Sequence, residues 1–239
     1  MNGIKLIAMD LDGTLTQHKT PLSDGHRALL TRLCDKYKLL MVGAGTCRRI
    51  FNQLAEFPID IIGNYGMQYA RYDAEKKDIS IVFNEEQGVD RESVDRRVRA
   101  LREKHGFTEY KGESVEYHAS GCVTFPILGT AADIKDKLAF DPDRKKRRAI
   151  LAEVKATFPE YTVFVGGSSS FDMAPRPFDK AYALDKYCKE HGISHAEAVY
   201  IGDDYGEGGN DESVYVSDFN YLKLDDYRDF EKVIAPLLD

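Results

Sequence analysis

At 239 residues the chain is long enough for one large domain or two small ones, and folding should bury roughly 70 to 75% of its unfolded surface. A net charge of -7 and a pI near 5.5 argue against nonspecific binding to nucleic acid or to an anionic membrane as the main activity. No stretch approaches the roughly eighteen consecutive apolar residues of a membrane span, and no signal-peptide pattern precedes Met1-Asn2-Gly3-Ile4. The cysteines Cys34, Cys47, Cys122 and Cys188 show neither CxxC nor paired spacing, so free thiols in a reducing cytoplasm are expected.

The first element, Ile4 to Met9, reads as an apolar strand that runs into Asp10-Leu11-Asp12-Gly13-Thr14. Side chains at i and i+2 of a strand share a face, so Asp10 and Asp12 project together from its C-terminal tip, where open α/β sheets bind ligands. Carboxylates this close repel each other, and a divalent cation relieves the repulsion. Mg²⁺ suits such all-oxygen sites and keeps waters and a substrate phosphate as its remaining ligands. Taken alone, the same residues fit an Asx-rich turn equally well.

Ser23 to Tyr37 follows as a helix with Ser23 as N-cap, then Leu39 to Ala44 as a strand, Thr46 to Phe57 as a helix and Asp60 to Ile62 as a short strand. Thr46, after a strand and at a helix start, can offer its hydroxyl and nearby N–H groups to phosphate oxygens, although alone it is as good an N-cap. Cys47 stands beside it, but no histidine is near in the sequence to activate a thiol nucleophile. Asn64 to Ala70 and Ile79 to Phe83 read as a hairpin joined by the charged turn Asp73 to Asp78.

After Asn84 to Gly88 a new unit begins. Arg91 to His105 carries Val94, Val98 and Leu101 as a helical stripe, and strands are expected at Val115 to His118, Cys122 to Ile127, Tyr161 to Val165 and Ser170 to Ala174. The helix Asp143 to Phe158 lies between the second and third, with the basic run Arg144 to Arg148 as its solvated face. Pro175-Arg176-Pro177 reads as a stiff extended connector. The chain then resumes βαβ alternation with a helix from Lys180 to His191 and the strand Ala198 to Gly202, which ends at Asp203-Asp204. The loop Gly208-Gly209-Asn210-Asp211, the apolar run Ser213 to Val216 and a terminal helix near Phe230 to Leu238 complete it. The expected layout is an α/β, doubly wound, parallel, Rossmann-like core made of residues 1–85 and 177–239, interrupted by an α+β cap at 86–176.

Four stretches in this order resemble the signatures of the haloacid dehalogenase superfamily of phosphohydrolases and phosphomutases. They are Asp10 to Thr14, the strand ending at Gly45-Thr46, Phe178-Asp179-Lys180, and Gly202-Asp203-Asp204 with Gly208 to Asp211. The resemblance implies that Asp10 is the nucleophile, forming an aspartyl phosphate, and that Asp12 is the general acid and base. It also implies Mg²⁺ held by Asp10, the main-chain carbonyl of Asp12 and Asp203, with Asp204, Asn210 and Asp211 as supporting groups or further ligands. Thr46 would bind the phosphate, Lys180 would place its cation on the phosphate and on Asp10, and Arg48, two residues beyond Thr46, would be a further phosphate ligand.

Across core and cap the chain is similar to the eukaryotic-type phosphomannomutases and their Cof-like sugar-phosphatase relatives. Gly166 to Pro175 with Phe178-Asp179-Lys180 follows the pattern GGxxSFDxxPxxWDK, with Phe178 in place of Trp, and Gly202 to Asp211 keeps the GDxxxxGGND spacing. Where the mutase pattern carries cap arginines, this chain has His118, Thr130 and Lys137, the last two after a one-residue insertion near Gly129. These are the cap residues expected to meet the substrate, a small phosphorylated metabolite of the sugar-phosphate class. Loss of bidentate guanidinium forks weakens a second phosphate site, and Lys is not an equivalent replacement. Hydrolysis of a sugar phosphate or similar phosphomonoester is therefore expected first and phosphohexomutase activity second. The other class of reading, a catalytically silent binding or regulatory protein, is opposed by the retention of Asp10, Asp12, Thr46, Lys180 and Asp203.

Overall fold

Strand β1 (Leu6–Met9) is fully buried and sits inside a seven-stranded sheet. The computed structural model describes residues 3–17 and 20–238. The chain divides into two compact units, one formed by Met1–Glu85, Asp179–Gly206 and Asp211–Asp239, the other by Glu86–Phe178 and Glu207–Asn210.

In the first unit, β1 is followed by α1 (Asp24–Cys34), β2 (Lys38–Val42), α2 (Cys47–Gln53), β3 (Asp60–Gly63) and the hairpin β4 (Gln68–Asp73) and β5 (Asp78–Asn84). Ser23 caps α1 by accepting from His26 N. Parallel pairing joins β2 to both β1 and β3, and antiparallel pairing adds β4 and β5 at one edge. One face of the sheet packs Ile7, Met9, Leu39 and Met41 with Leu30, Leu33, Ile50 and Phe51, and the other packs Leu6, Ala8, Leu40 and Val42 with Leu184 and Tyr187. Such strands, covered on both faces, account for the unbroken apolar runs in the sequence.

The second unit contains α3 (Arg91–His105), β6 (Glu116–Tyr117), β7 (Val123–Pro126), α4 (Ile134–Phe140), α5 (Lys145–Thr157), β8 (Tyr161–Phe164) and β9 (Ser170–Pro175). Its four strands form an antiparallel sheet in the order β6-β7-β9-β8, and Val94, Val98, Leu101, Leu151 and Val154 pack with the strand residues Phe125, Val163, Phe171 and Met173. The basic run at the head of α5 is not wholly a solvated face. Arg147 is buried, and its guanidinium donates to Asp141 Oδ2 at 2.9 Å and to the carbonyls of Gly166, Gly167 and Ser170 at 2.6 to 3.2 Å. A buried guanidinium requires such complete pairing. Arg176 and Pro177 form a turn rather than an extended link.

The chain completes the first unit with α6 (Lys180–His191), β10 (Ala198–Gly202), α7 (Glu212–Tyr215), β11 (Asn220–Lys223) and α8 (Phe230–Leu238). The apolar run Ser213 to Val216 continues the sequence pattern, but most of it lies in the one-turn helix α7, and the strand that extends the sheet is β11, parallel to β10. No helix among the described residues is long and apolar enough to cross a membrane.

Candidate active site

Strands β1 and β10 are parallel with Met9 opposite Ile201, so the loops that follow them leave from the same sheet edge. Asp10 N donates to Ile201 O at 3.0 Å, which sets the first carboxylate beside the tip of β10. The chain then turns sharply, with Leu11 O accepting from the N–H groups of Thr14, Leu15 and Thr16, and Gly13 adopts a φ of 97°. A Cβ on Gly13 would lie 2.4 Å from Asp203 Oδ2, so the loop can pass there only as glycine. Thr14 Oγ1 donates to Asp203 Oδ1 at 2.9 Å and orients it.

Asp10, Asp203 and Asp211 each bring a carboxylate oxygen within 4.8 Å of the others. Into this group comes Lys180, the first residue of α6, whose N-cap Asp179 accepts from Tyr182 N. The Lys180 ammonium is fully buried and donates to Asp10 Oδ1 at 2.7 Å and to Asp211 Oδ1 at 2.8 Å. Asp211 is held further by the Tyr200 hydroxyl on Oδ1 at 2.6 Å and by Asp204 N on Oδ2 at 3.0 Å.

Three carboxylates against one ammonium leave an excess of negative charge in a place with little water. Burial pushes the Asp10 carboxyl well above its ordinary range; Lys180 pulls it back, while Asp211 and Asp203 raise it further. Burial and then Asp211 raise Asp203 to about 6. For Lys180, burial alone would lower the ammonium, but Asp10 and Asp211 outweigh it and hold it charged. A hard divalent cation with oxygen ligands fits this donor set. Asp10 and Asp203 are the side chains that could hold it, since both oxygens of Asp211 already accept hydrogen bonds.

Asp12 stands outside that cluster. Its Oδ1 accepts from Gln53 Nε2 at 2.6 Å, and its Oδ2 lies 3.4 Å from the Arg49 guanidinium. Thr46 is the N-cap of α2 and accepts from Arg49 N at 3.2 Å. Arg48, expected at the phosphate, is instead bound to Asp78 at 2.6 and 3.1 Å on the exposed side of α2. Successive helical residues are rotated by about 100°, so Arg49 and not Arg48 reaches the side of Asp12. The spacing of Thr46, Arg49 and Gln53, at i, i+3 and i+7, carries that signal. Burial pushes the Cys47 thiol up to about 12, which leaves it protonated and donating to Ile61 O.

Asn210 belongs to the second unit, as do the three cap residues. There His118 Nε2 lies 3.1 Å from Thr124 Oγ1, Thr130 Oγ1 accepts from Glu113 N at 2.9 Å, and Lys137 Nζ donates to Thr130 O at 3.0 Å. Tyr200 and Tyr221, close to the carboxylates, do not stand out in the sequence, because Tyr200 sits in an apolar run that reads simply as core and Tyr221 in a polar stretch without a strand pattern.

Comparison with known proteins adds the family. Residues 26–222 match the family model for eukaryotic phosphomannomutase. The phosphomannomutase of Saccharomyces cerevisiae is 27% identical over 224 residues, covering 89% of this chain and 85% of its own length. Phosphomannomutase 1 of Mus musculus is 25% identical over 224 residues, with coverage of 88% and 82%. Among solved structures, the IMP-nucleotidase of Plasmodium falciparum superposes with a TM-score of 0.71 at 16% identity, over 99% of this chain and 68% of that one, a likeness of fold. A trehalose-6-phosphate phosphatase related protein gives a TM-score of 0.56 at 18% identity, over 98% and 97%. With a family match that spans most of its length and a carboxylate-lysine site at the tips of β1 and β10, the chain belongs to the eukaryotic phosphomannomutase family of the haloacid dehalogenase superfamily.

Proposed function

We propose that the protein transfers phosphoryl groups of sugar phosphates through Asp10 with Mg²⁺ as cofactor, and that it acts as a phosphohexomutase. The observation that carries the phosphoryl chemistry is the Lys180 ammonium shared by Asp10 and Asp211 beside Asp203. Mg²⁺ bound there would neutralise charge on the phosphoryl oxygens and on the carboxylates. Lys180 fixes one Asp10 oxygen, which leaves the other to attack phosphorus. Asp12 exchanges the proton of the sugar oxygen, and Gln53 and Arg49 set its orientation. The backbone N–H groups at the start of α2, with Thr46, offer a phosphate a favourable helix terminus. The family match, which runs through the cap, supports the mutase over the hydrolase.

Hydrolysis of the same substrates is the second reading, and the cap favours it. A mutase must retain a bisphosphate while it reorients, yet His118, Thr130 and Lys137 replace the arginines expected there, and Lys137 is bonded to a carbonyl of its own unit. The test follows inorganic phosphate and hexose 6-phosphate together, from mannose 1-phosphate and glucose 1-phosphate, with Mg²⁺ and a hexose bisphosphate activator. Isomerisation that outpaces phosphate release is expected; the reverse order would put hydrolysis first. Absence of any Mg²⁺-dependent turnover, on these or on an aryl phosphate, would favour a silent binding protein.

A further inference from the structure

Among the described residues the Tyr221 hydroxyl is the one buried side-chain polar atom without a hydrogen-bond partner. An unpaired buried hydroxyl lowers stability, and phenylalanine would fill the same space without that loss. Tyr221 lies on β11 in register with Tyr200 on β10, and their rings are 5.6 Å apart. Residues in register on parallel neighbours share a sheet face, so the two phenols run side by side toward the carboxylates.

They end in different places. The Tyr200 hydroxyl reaches Asp211 Oδ1. The Tyr221 hydroxyl stops 2.7 Å from the point where a Cβ on Gly202 would stand, and Asp211 Oδ2 lies 2.5 Å from the same point. A side chain on Gly202, the residue before Asp203, would clash with both, so the phenol and the Asp211 carboxylate converge on the backbone that leads into Asp203. Burial, and then the charges of Asp211, Asp10, Asp203 and Asp204, hold the Tyr221 phenol protonated, so it can act there as a donor. Edge contacts with Tyr205 and Tyr215, at centroid distances of 6.1 and 5.2 Å, fix the ring.

We infer that Tyr221 is a positioning residue of the cation site, its hydroxyl donating to a water in the ligand shell of the divalent cation held by Asp10 and Asp203. The inference rests on the metal reading given under Proposed function and adds a residue to it. Mg²⁺ bound by one or two carboxylates keeps several waters, and a fixed donor to one of them orients the whole shell. The hydroxyl then gains its partner when the cation arrives, which accounts for a tyrosine where phenylalanine would pack as well.

The experiment compares wild type with Tyr221→Phe by calorimetric Mg²⁺ titration, by Tm in excess chelator and by the near-ultraviolet difference spectrum on adding Mg²⁺. With 14 tyrosines and no tryptophan, that spectrum reports chiefly phenols. Expected are Mg²⁺ binding weakened about tenfold or more, an unchanged or higher Tm in chelator, and loss of part of the difference spectrum. Equal Mg²⁺ affinity in the two proteins would overturn the inference while leaving the metal reading intact. So would a lower Tm of the variant in chelator, since the hydroxyl would then have a partner within the protein. A wild type that does not bind Mg²⁺ would overturn the metal reading itself, and this inference with it.

Discussion

Lys180 Nζ lies 2.7 Å from Asp10 Oδ1, with the two side chains 0% and 8% exposed, and the same ammonium is 2.8 Å from Asp211 Oδ1. One cation thus holds two buried carboxylates that would otherwise repel. Lys180→Met keeps the volume but leaves both carboxylates without a counter-charge, and removing one partner of a buried ion pair costs about 3 to 5 kcal/mol. Urea denaturation at neutral pH should show a loss of that order. A loss below about 1 kcal/mol would mean that the lysine is not the group balancing the site.

Asp10→Asn tests the nucleophile. The amide is nearly isosteric and can still accept from Lys180, so the fold should persist, but it is a poor nucleophile and a poor metal ligand. Turnover of any phosphate ester should fall by several orders of magnitude with an unchanged circular dichroism spectrum. Near wild-type turnover would remove Asp10 from the reaction.

The pH response follows from Asp203, raised to about 6 by burial first and Asp211 second. A carboxyl whose folded value exceeds its unfolded value binds its proton more tightly in the native state. Its contribution to stability is therefore complete below about pH 4 and is lost as pH rises through 6. In chelator, Asp203→Asn should remove that loss, so the variant should gain on wild type by on the order of 2 kcal/mol between about pH 4 and 7.5. The same variant should lose Mg²⁺ binding, and wild-type Mg²⁺ affinity should rise through pH 6 as the proton leaves. A stability difference between the two proteins that is flat with pH would refute the assignment.

How much of the fold and site can be read in the sequence depends on range. β1, β2 and β10 are apolar runs closed by Asp or Gly, and their carboxylates are legible because period two and a strand tip are local facts. The pairing of Lys180 with Asp10 joins residues far apart in the chain, and only the resemblance suggests it. The resemblance points to Arg48, two residues beyond Thr46, whereas helical rotation turns Arg48 to Asp78 and brings Arg49 to Asp12. Arg147 is hidden in a basic run, since composition cannot tell a buried guanidinium from its solvated neighbours. β11, with Asn220, Tyr221 and Lys223 among its four residues, is a partly exposed strand without a clear apolar run. The short helix α4 buries no side chain and so leaves no periodic stripe to find.

Gly13 supplies a test of geometry rather than charge. Its φ of 97° disfavours any side chain, and a Cβ would stand 2.4 to 2.8 Å from all three terminal atoms of the Asp203 carboxylate. Gly13→Ala must therefore move Asp203 away from Thr14 and Asp10, and misplacing a ligand by even a small distance weakens a metal site. Mg²⁺ affinity should fall tenfold or more by calorimetry. Backbone strain alone is controlled by Gly192→Ala, at the C-cap of α6, where φ is 65° but nothing lies within 4 Å of the added Cβ. Both variants should lose about 1 kcal/mol of stability from the left-handed conformation, and only the first should lose Mg²⁺. Equal Mg²⁺ affinity in the two would show that the Asp203 carboxylate does not depend on the space that Gly13 leaves for it.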